Sequence, residues 1–122
     1  MLTKEYIKEV KQNSPQEFGQ LVQKNINNSG NLIFILENLG KLPISFDYQW
    51  ILNLINYDNE QVRFWAVKNL GKLKLVEIIH QLEKISIEDE STLVRREAIS
   101  SIGRFRDQNT QQILLQHLYN DD

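Results

Sequence analysis

The segment DNEQVRFWAVKNLGKL, from Asp58 to Leu73, decides the fold because the next part of the chain repeats it. At an offset of 32 residues it aligns with ESTLVRREAISSIGRF, from Glu90 to Phe105. A shorter copy, NLGKL, occurs upstream at 38–42 and places three glycines in register: Gly40, Gly71 and Gly103. Self-similarity at a fixed period of 31 or 32 residues is typical of a protein built from structural repeats.

Each aligned segment carries the pattern of an amphipathic helix. Its apolar positions follow the i, i+4, i+8 spacing of one helical face. The predicted core therefore contains six residues at equivalent positions: Val62, Ala66, Leu70, Val94, Ala98 and Ile102. We expect Gly40, Gly71 and Gly103 to be cap glycines at helix C-termini, where the left-handed conformation is common. Asp58 and Glu90 precede the two stripes, where negative charge favours a helix N-terminus.

A second amphipathic segment follows each first one, so every unit reads as a helix hairpin. Pro43 marks the break within the first unit. The predicted helices are 3–12, 15–27, 30–40, 46–56, 59–71, 75–85, 91–105 and 109–119. The sequence thus predicts an all-α fold, a right-handed α-solenoid (superhelix) of stacked antiparallel helix hairpins. In a single domain, 1–28 would form an N-terminal helical cap, followed by repeats at about 30–57, 58–88 and 89–122.

The pattern D-x-x-x-x-V-R-x-x-A-x-x-x-L-G-x-L resembles a HEAT repeat, and is most similar to the short bacterial kind related to repeats in phycobilisome lyases. The resemblance extends from Gly30 to Asp122, although HEAT periods are usually about 40–47 residues. It implies a ladder in which Arg63 and Arg95 pair with acidic groups of adjacent turns. The ladder residues would be Asp58, Arg63, Glu90 and Arg95. The first unit departs from the pattern, with Asn31-Leu32 in place of Val-Arg.

The last predicted helix is apolar on several sides. The sequence ends where a fourth unit would begin, and repeat arrays need a polar terminal cap. This pattern predicts that the chain is part of a longer array. The alternative is that the final helix is itself the natural cap, with its Gln and His side chains facing water.

Composition indicates a soluble protein. The chain has 122 residues, of which 41% are hydrophobic and 25% are charged, and it carries a net charge of -2. It contains no cysteine, no signal-peptide core and no apolar run near the roughly 18 residues that a membrane span requires. We expect a cytoplasmic protein without a membrane partner.

No group of residues has the spacing of a catalytic or metal site. The two histidines, His80 and His117, lie in second helices and lack a shared set of ligands at i+3 or i+4. The acidic run Glu88-Asp89-Glu90 is placed to cap a helix. The sequence therefore predicts a non-enzymatic chain that binds no metal and no cofactor.

Cations follow the three aligned glycines. We name these residues the basic edge: Lys41, Lys72, Lys74, Arg104 and Arg106. Acidic clusters occupy the opposite ends of the same helices. One interpretation is that both sets only complement helix dipoles. The other is that stacking of the units aligns the cations into a surface for a phosphate backbone or an acidic protein.

Two aromatic residues form a second candidate surface. Phe64 and Trp65 occupy positions that Arg96 and Glu97 hold in the next unit, which argues against a shared core role. Either they pack beneath the divergent first unit, or they are exposed and bind a partner. Tyr48 and Trp50 leave the same alternatives open.

The sequence is compatible with three functions. A scaffold for a protein partner is the leading hypothesis, because helical solenoids present extended binding surfaces. The alternative is an accessory DNA-binding region of a DNA-processing enzyme, such as a methyltransferase or glycosylase. A third, allowed by the family resemblance, is a lyase-type chaperone for a bilin chromophore, although no residue here marks a bilin site.

Overall fold

A computed structural model describes residues 2–43 and 45–120, and it describes side chains as far as Arg106. Within these ranges the secondary structure is helical, with no strand. The helices are α1 (Lys4–Asn13), α2 (Phe18–Lys24), α3 (Ser29–Glu37), α4 (Gln49–Leu52), α5 (Glu60–Leu70), α6 (Val76–Glu88) and α7 (Thr92–Asn120). A 3₁₀ turn at Pro15–Glu17 leads into α2.

The first helix of each unit begins at an equivalent capping residue. The side chains of Asn28 and Asn59 accept hydrogen bonds from the free N–H groups at the starts of α3 and α5. Ser91 Oγ accepts from Val94 N at the start of α7. These short polar side chains are preferred N-caps because they satisfy backbone donors that have no partner within the helix. The caps repeat at the same intervals as the glycines, and Asn59 and Ser91 each lie one residue after an acidic position expected from the sequence.

The helices stack in chain order around one continuous core. Helix α5 packs against α3 on one side and α7 on the other, while α4 packs on α5 and α6 packs on α7. All six predicted core residues are buried, with Val62, Ala66, Leu70, Val94 and Ala98 fully so. This arrangement confirms the all-α solenoid, whereas its right-handed superhelical sense stays a prediction.

Two predicted helices are shorter than expected. The segment 46–56 contains only the four residues of α4, because the turns after it use i to i+3 hydrogen bonds, as from Leu54 N to Ile51 O. The segment 15–27 begins as a 3₁₀ turn and ends its α-helix at Lys24, just before the asparagine-rich stretch that caps α3. Asparagine favours caps and turns since its side chain competes for backbone hydrogen bonds.

The prediction of separate helices at 91–105 and 109–119 is wrong, because α7 runs without a break from Thr92 to Asn120. Gly103 therefore lies inside a helix and is not its cap. Nothing in the sequence after it stops a helix: there is no proline, and a single interior glycine costs only about 1 kcal/mol relative to alanine.

Gly71 is also not a left-handed cap, since its φ of -63° is right-handed helical. A methyl group added there would fall against Ser101 Oγ and 2.7 Å from Ser101 Cβ. Glycine at this position therefore serves the close approach of α7 to α5. Only Gly40, with φ at 64°, has the left-handed conformation expected of all three glycines.

Candidate interaction surfaces

A buried ion pair joins the second and third units. Arg63 Nε lies 3.0 Å from Asp89 Oδ2, and Arg63 Nη2 lies 3.2 Å from Asp89 Oδ1. Both side chains are more than nine-tenths buried. The same guanidinium donates from Nη1 to the carbonyls of Tyr57 and Asp58. A planar fork that binds two carboxylate oxygens and two carbonyls fixes the loop before α5 to the loop before α7.

The arginine ladder differs from the expected one in its acidic members. Asp58 contributes its main-chain carbonyl, and the exposed Glu90 reaches Arg63 only at 3.9 Å, so Asp89 is the carboxylate that pairs. Arg95 repeats part of the pattern: its Nη1 donates to the carbonyl of Asp89, six residues upstream, as that of Arg63 does to Tyr57. The pairing depends on which carboxylate turns inward at the α6–α7 connection, and spacing alone does not encode that.

A buried asparagine links α5 to α3. Asn69 Nδ2 donates to the carbonyls of Leu36 and Trp65, and its Oδ1 accepts from Lys72 Nζ. Lys72 Nζ also donates to the carbonyl of Gly40 at 2.9 Å. This member of the basic edge therefore holds the end of one unit against the end of the next.

Lys11 of α1 joins the basic edge from outside the repeats. Its Nζ donates to the carbonyls of Leu39 at 2.7 Å and Lys41 at 2.9 Å. Two ammonium groups thus bind three successive carbonyls, at residues 39–41. Burial, followed by the charges of Lys11 and Lys68, lowers the pKa of Lys72 below its ordinary value of 10.5.

The other cations of the basic edge differ in their contacts with the rest of the chain. Arg104 Nη2 lies 3.1 Å from Ser101 Oγ and 3.7 Å from Glu97 Oε2. The buried Glu97 also lies 3.4 Å from Lys68 Nζ, so it links α5 to α7. Lys41, Lys74 and Arg106 are exposed, and Lys72 and Arg104 are exposed outside these contacts.

The aromatic residues pack rather than project. Trp50 is buried in a cluster with Phe18 and Phe46, and its ring centroid is 5.4 Å from that of Phe18. Phe64 and Trp65 are half-buried against the core and lie edge to face, with Lys68 Nζ 5.8 Å from each ring centroid. Tyr48 is half-buried as well.

No cluster with the composition of a metal site occurs in the part of the chain that the structure describes. His80 is exposed, with Nδ1 3.6 Å from Glu83 Oε1. His117 lies beyond the described side chains. None of the helices in the described ranges is long and apolar enough to cross a membrane.

Several contacts between units were not predicted, although the sequence holds a signal for one. Asn38 and Asn69 are aligned, and each donates to the carbonyl four residues upstream. An amide repeated in an apolar stripe indicates a buried polar contact, because polar groups inside a core must be hydrogen-bonded. For Lys11 no such signal exists, since its partners are main-chain carbonyls of another unit.

The stack of capped helices, tied by repeated polar contacts between units, defines an α-helical repeat protein. The sequence model of the family "HEAT repeats" matches residues 48–122, which is more than half of the chain. The chain therefore belongs to the HEAT-repeat family, as its resemblance implied. Members of this family generally mediate protein interactions as scaffolds and are typically non-catalytic. Searches among curated proteins and among solved structures gave no significant match.

Proposed function

We propose that this chain is a non-catalytic scaffold that holds a protein partner on the basic edge. The observation that carries the proposal is the stacking of α3, α5 and α7, which brings the ends of successive units together where Lys72 contacts Gly40. Exposed cations on stacked helices suit an acidic protein surface, because complementary charge steers association and fixes register.

The exposed cations of the edge are the ones that would meet the partner. Lys72 and Arg104 donate to groups of the chain itself, so their substitution would disturb the fold as well as the surface. Lys41 and Lys74 are exposed. Their substitution should therefore change binding without changing stability.

The test is affinity capture from a lysate of the source organism, followed by mass spectrometry. The edge variant is Lys41→Glu with Lys74→Glu. The matched control reverses the charges of Lys4 and Lys8, two exposed lysines of α1, by the same Lys→Glu substitution. We expect a partner that the parent and the control retain and the edge variant loses. A partner that binds all three proteins equally, or none of them, would contradict the proposal.

Binding of the same edge to nucleic acid is the second candidate. The observation that favours it is Lys11, whose ammonium adds a further positive charge near that of Lys72. Each phosphate contact on duplex DNA releases counterions and contributes about -0.9 to the slope of log affinity against log salt.

Fluorescence anisotropy with a labelled duplex across a salt series distinguishes the two candidates. If most cations of the edge contact phosphates, the slope should be about -3 to -4, and Lys74→Ala should make it shallower by about one. Sequence preference should not change, because phosphate contacts carry none. Absence of binding at low salt, with folded protein at high micromolar concentration, would rule out the nucleic-acid candidate.

A further inference from the structure

An apolar groove lies open between α6 and α7. It encloses about 340 Å³ and is lined by Glu83, Ser86, Ile87, Ile99, Ile102, Gly103 and Arg106. Ile87 is 80% exposed and Ile99 is 58% exposed, which makes them two of the most exposed large apolar side chains among the described residues. We call this surface the α6–α7 groove.

The preceding unit shows how such a surface is normally covered. Val67, aligned with Ile99 at the offset of 32, is fully buried. Gly71, aligned with Gly103, lies in close contact with Ser101, whereas a methyl group added at Gly103 would meet nothing within 4 Å. Ile99 and Gly103 are thus the equivalents of the residues with which α5 packs against α7. In the described structure no helix packs against them.

The walls of the groove carry opposite charges. Glu83 stands on α6 and Arg106 stands on α7, with the isoleucines between them. A two-fold axis that runs along the groove, in the plane of the interface, would place α6 of one copy opposite α7 of the other. In a two-fold interface each contact occurs twice, so Glu83 of each copy would meet Arg106 of the other.

We propose that the α6–α7 groove is a self-association surface that pairs two copies of this chain about a two-fold axis. Ile87 and Ile99 form its apolar centre, and Gly103 on α7 permits close approach of α6 of the other copy. The groove is lined by seven residues, far fewer than the roughly 20–30 residues a side of a standard interface. We therefore expect a weak, concentration-dependent dimer. The groove shares Arg106 with the basic edge, but Lys41 and Lys74, which the capture experiment changes, do not line it. The two proposals can therefore fail independently.

Sedimentation velocity from low to several hundred micromolar protein is the first test. The parent should shift from monomer towards dimer as concentration rises. Ile99→Asp should raise the dissociation constant by about tenfold or more, since it buries an unpaired charge at the centre of the interface. The control is Val76→Asp, which changes an exposed apolar residue of α6 that does not line the groove. Far-UV circular dichroism establishes that both variants fold.

Charge exchange tests the two-fold geometry. Glu83→Arg and Arg106→Glu should each weaken the dimer, because like charges then face each other twice. An equimolar mixture of these two variants should form a heterodimer at the parent's concentration range, since both contacts become Arg–Glu again. The double variant should also dimerise with itself.

A parent that stays monomeric at the highest concentration would overturn the proposal. So would a dimer that Ile99→Asp leaves unchanged, or one that the mixture of charge variants does not restore. Failure of the edge variant in the capture experiment, by contrast, would leave these measurements unaffected.

Discussion

One buried guanidinium joins two units of this protein. Arg63 donates hydrogen bonds to the carboxylate of Asp89, in the loop before α7, and to two carbonyls in the loop before its own helix. Removal of one partner of a buried pair is costly because the other charge is left without compensation.

We expect Asp89→Ala to lower the free energy of unfolding by about 3 kcal/mol, near the lower end for a broken buried pair because Arg63 keeps its carbonyl partners. Asp58→Ala and Glu90→Ala, at the acidic positions expected from the sequence, should each cost less than about 0.5 kcal/mol, as exposed substitutions usually do. Urea denaturation of the three variants measures the difference. A larger loss for Glu90→Ala than for Asp89→Ala would show that the observed pairing is not the stabilising one.

The protonation of Lys72 depends on its surroundings. Burial and the neighbouring ammonium groups lower its pKa, so the folded chain releases this proton at lower pH than the unfolded chain. The free energy of unfolding should therefore rise with pH between the lowered folded-state pKa and the ordinary value of 10.5. Below that window both states are protonated, and this lysine adds no pH dependence.

The lowered pKa can be measured directly from the lysine ¹³Cε resonances by NMR of protein labelled with ¹³C-lysine, which leaves the ammonium groups unmodified. The resonance of Lys72, assigned by its absence from Lys72→Arg, should titrate with a midpoint below 10.5. A midpoint at or above that value would mean that its ammonium is neither buried nor close to Lys11.

At the scale of helices, aligned glycines perform different tasks. Gly71 is where α7 approaches α5, whereas Gly103 lies inside α7 with open space around its Cα. The same substitution should therefore have opposite effects at the two positions.

We expect Gly71→Ala to destabilise the fold by about 1–3 kcal/mol, the usual cost of overpacking, because Ser101 Cβ cannot rotate away. Gly103→Ala should stabilise it by about 0.5–1 kcal/mol through the lower entropy cost of alanine in a helix. Denaturation at low micromolar concentration, where self-association is minimal, gives both values. Ser101→Gly should recover part of the loss in Gly71→Ala; a loss at both glycines would indicate that α7 breaks at Gly103 as first predicted.

At the scale of the whole chain, the core is one cluster that extends from Ile7 in α1 to Ile102 in α7. Units of a repeat protein are stabilised mainly by their neighbours, so units coupled through a continuous core should unfold together. The two tryptophans report on different parts of it, Trp50 beside α2 and Trp65 on α5.

We expect the tryptophan fluorescence and the far-UV circular dichroism of Trp65→Phe to give the same urea midpoint, and likewise those of Trp50→Phe. Each variant reports through its one remaining tryptophan, so coincidence in both means a single transition. Separate midpoints in either variant would show that the N-terminal helices and the repeats unfold independently.

The helical class, the repeat period and the buried stripe were predictable from the sequence. They arise from residues three or four apart on one helix, as in Val62, Ala66 and Leu70, and this periodicity is local. The basic edge was predictable only as a list of positions. Whether Lys72 meets solvent or a carbonyl depends on the neighbouring unit.

Contacts between units decided the rest. The sequence offers three neighbouring acids to Arg63, and only the path of the α6–α7 connection turns Asp89 inward. Gly71 and Gly103 have the same sequence context, but Ser101 lies against only the first of them. Close approach and ion pairing depend on the distances between helices that are far apart in the chain. The periodicity of the sequence does not specify those distances, so only the tertiary structure shows them.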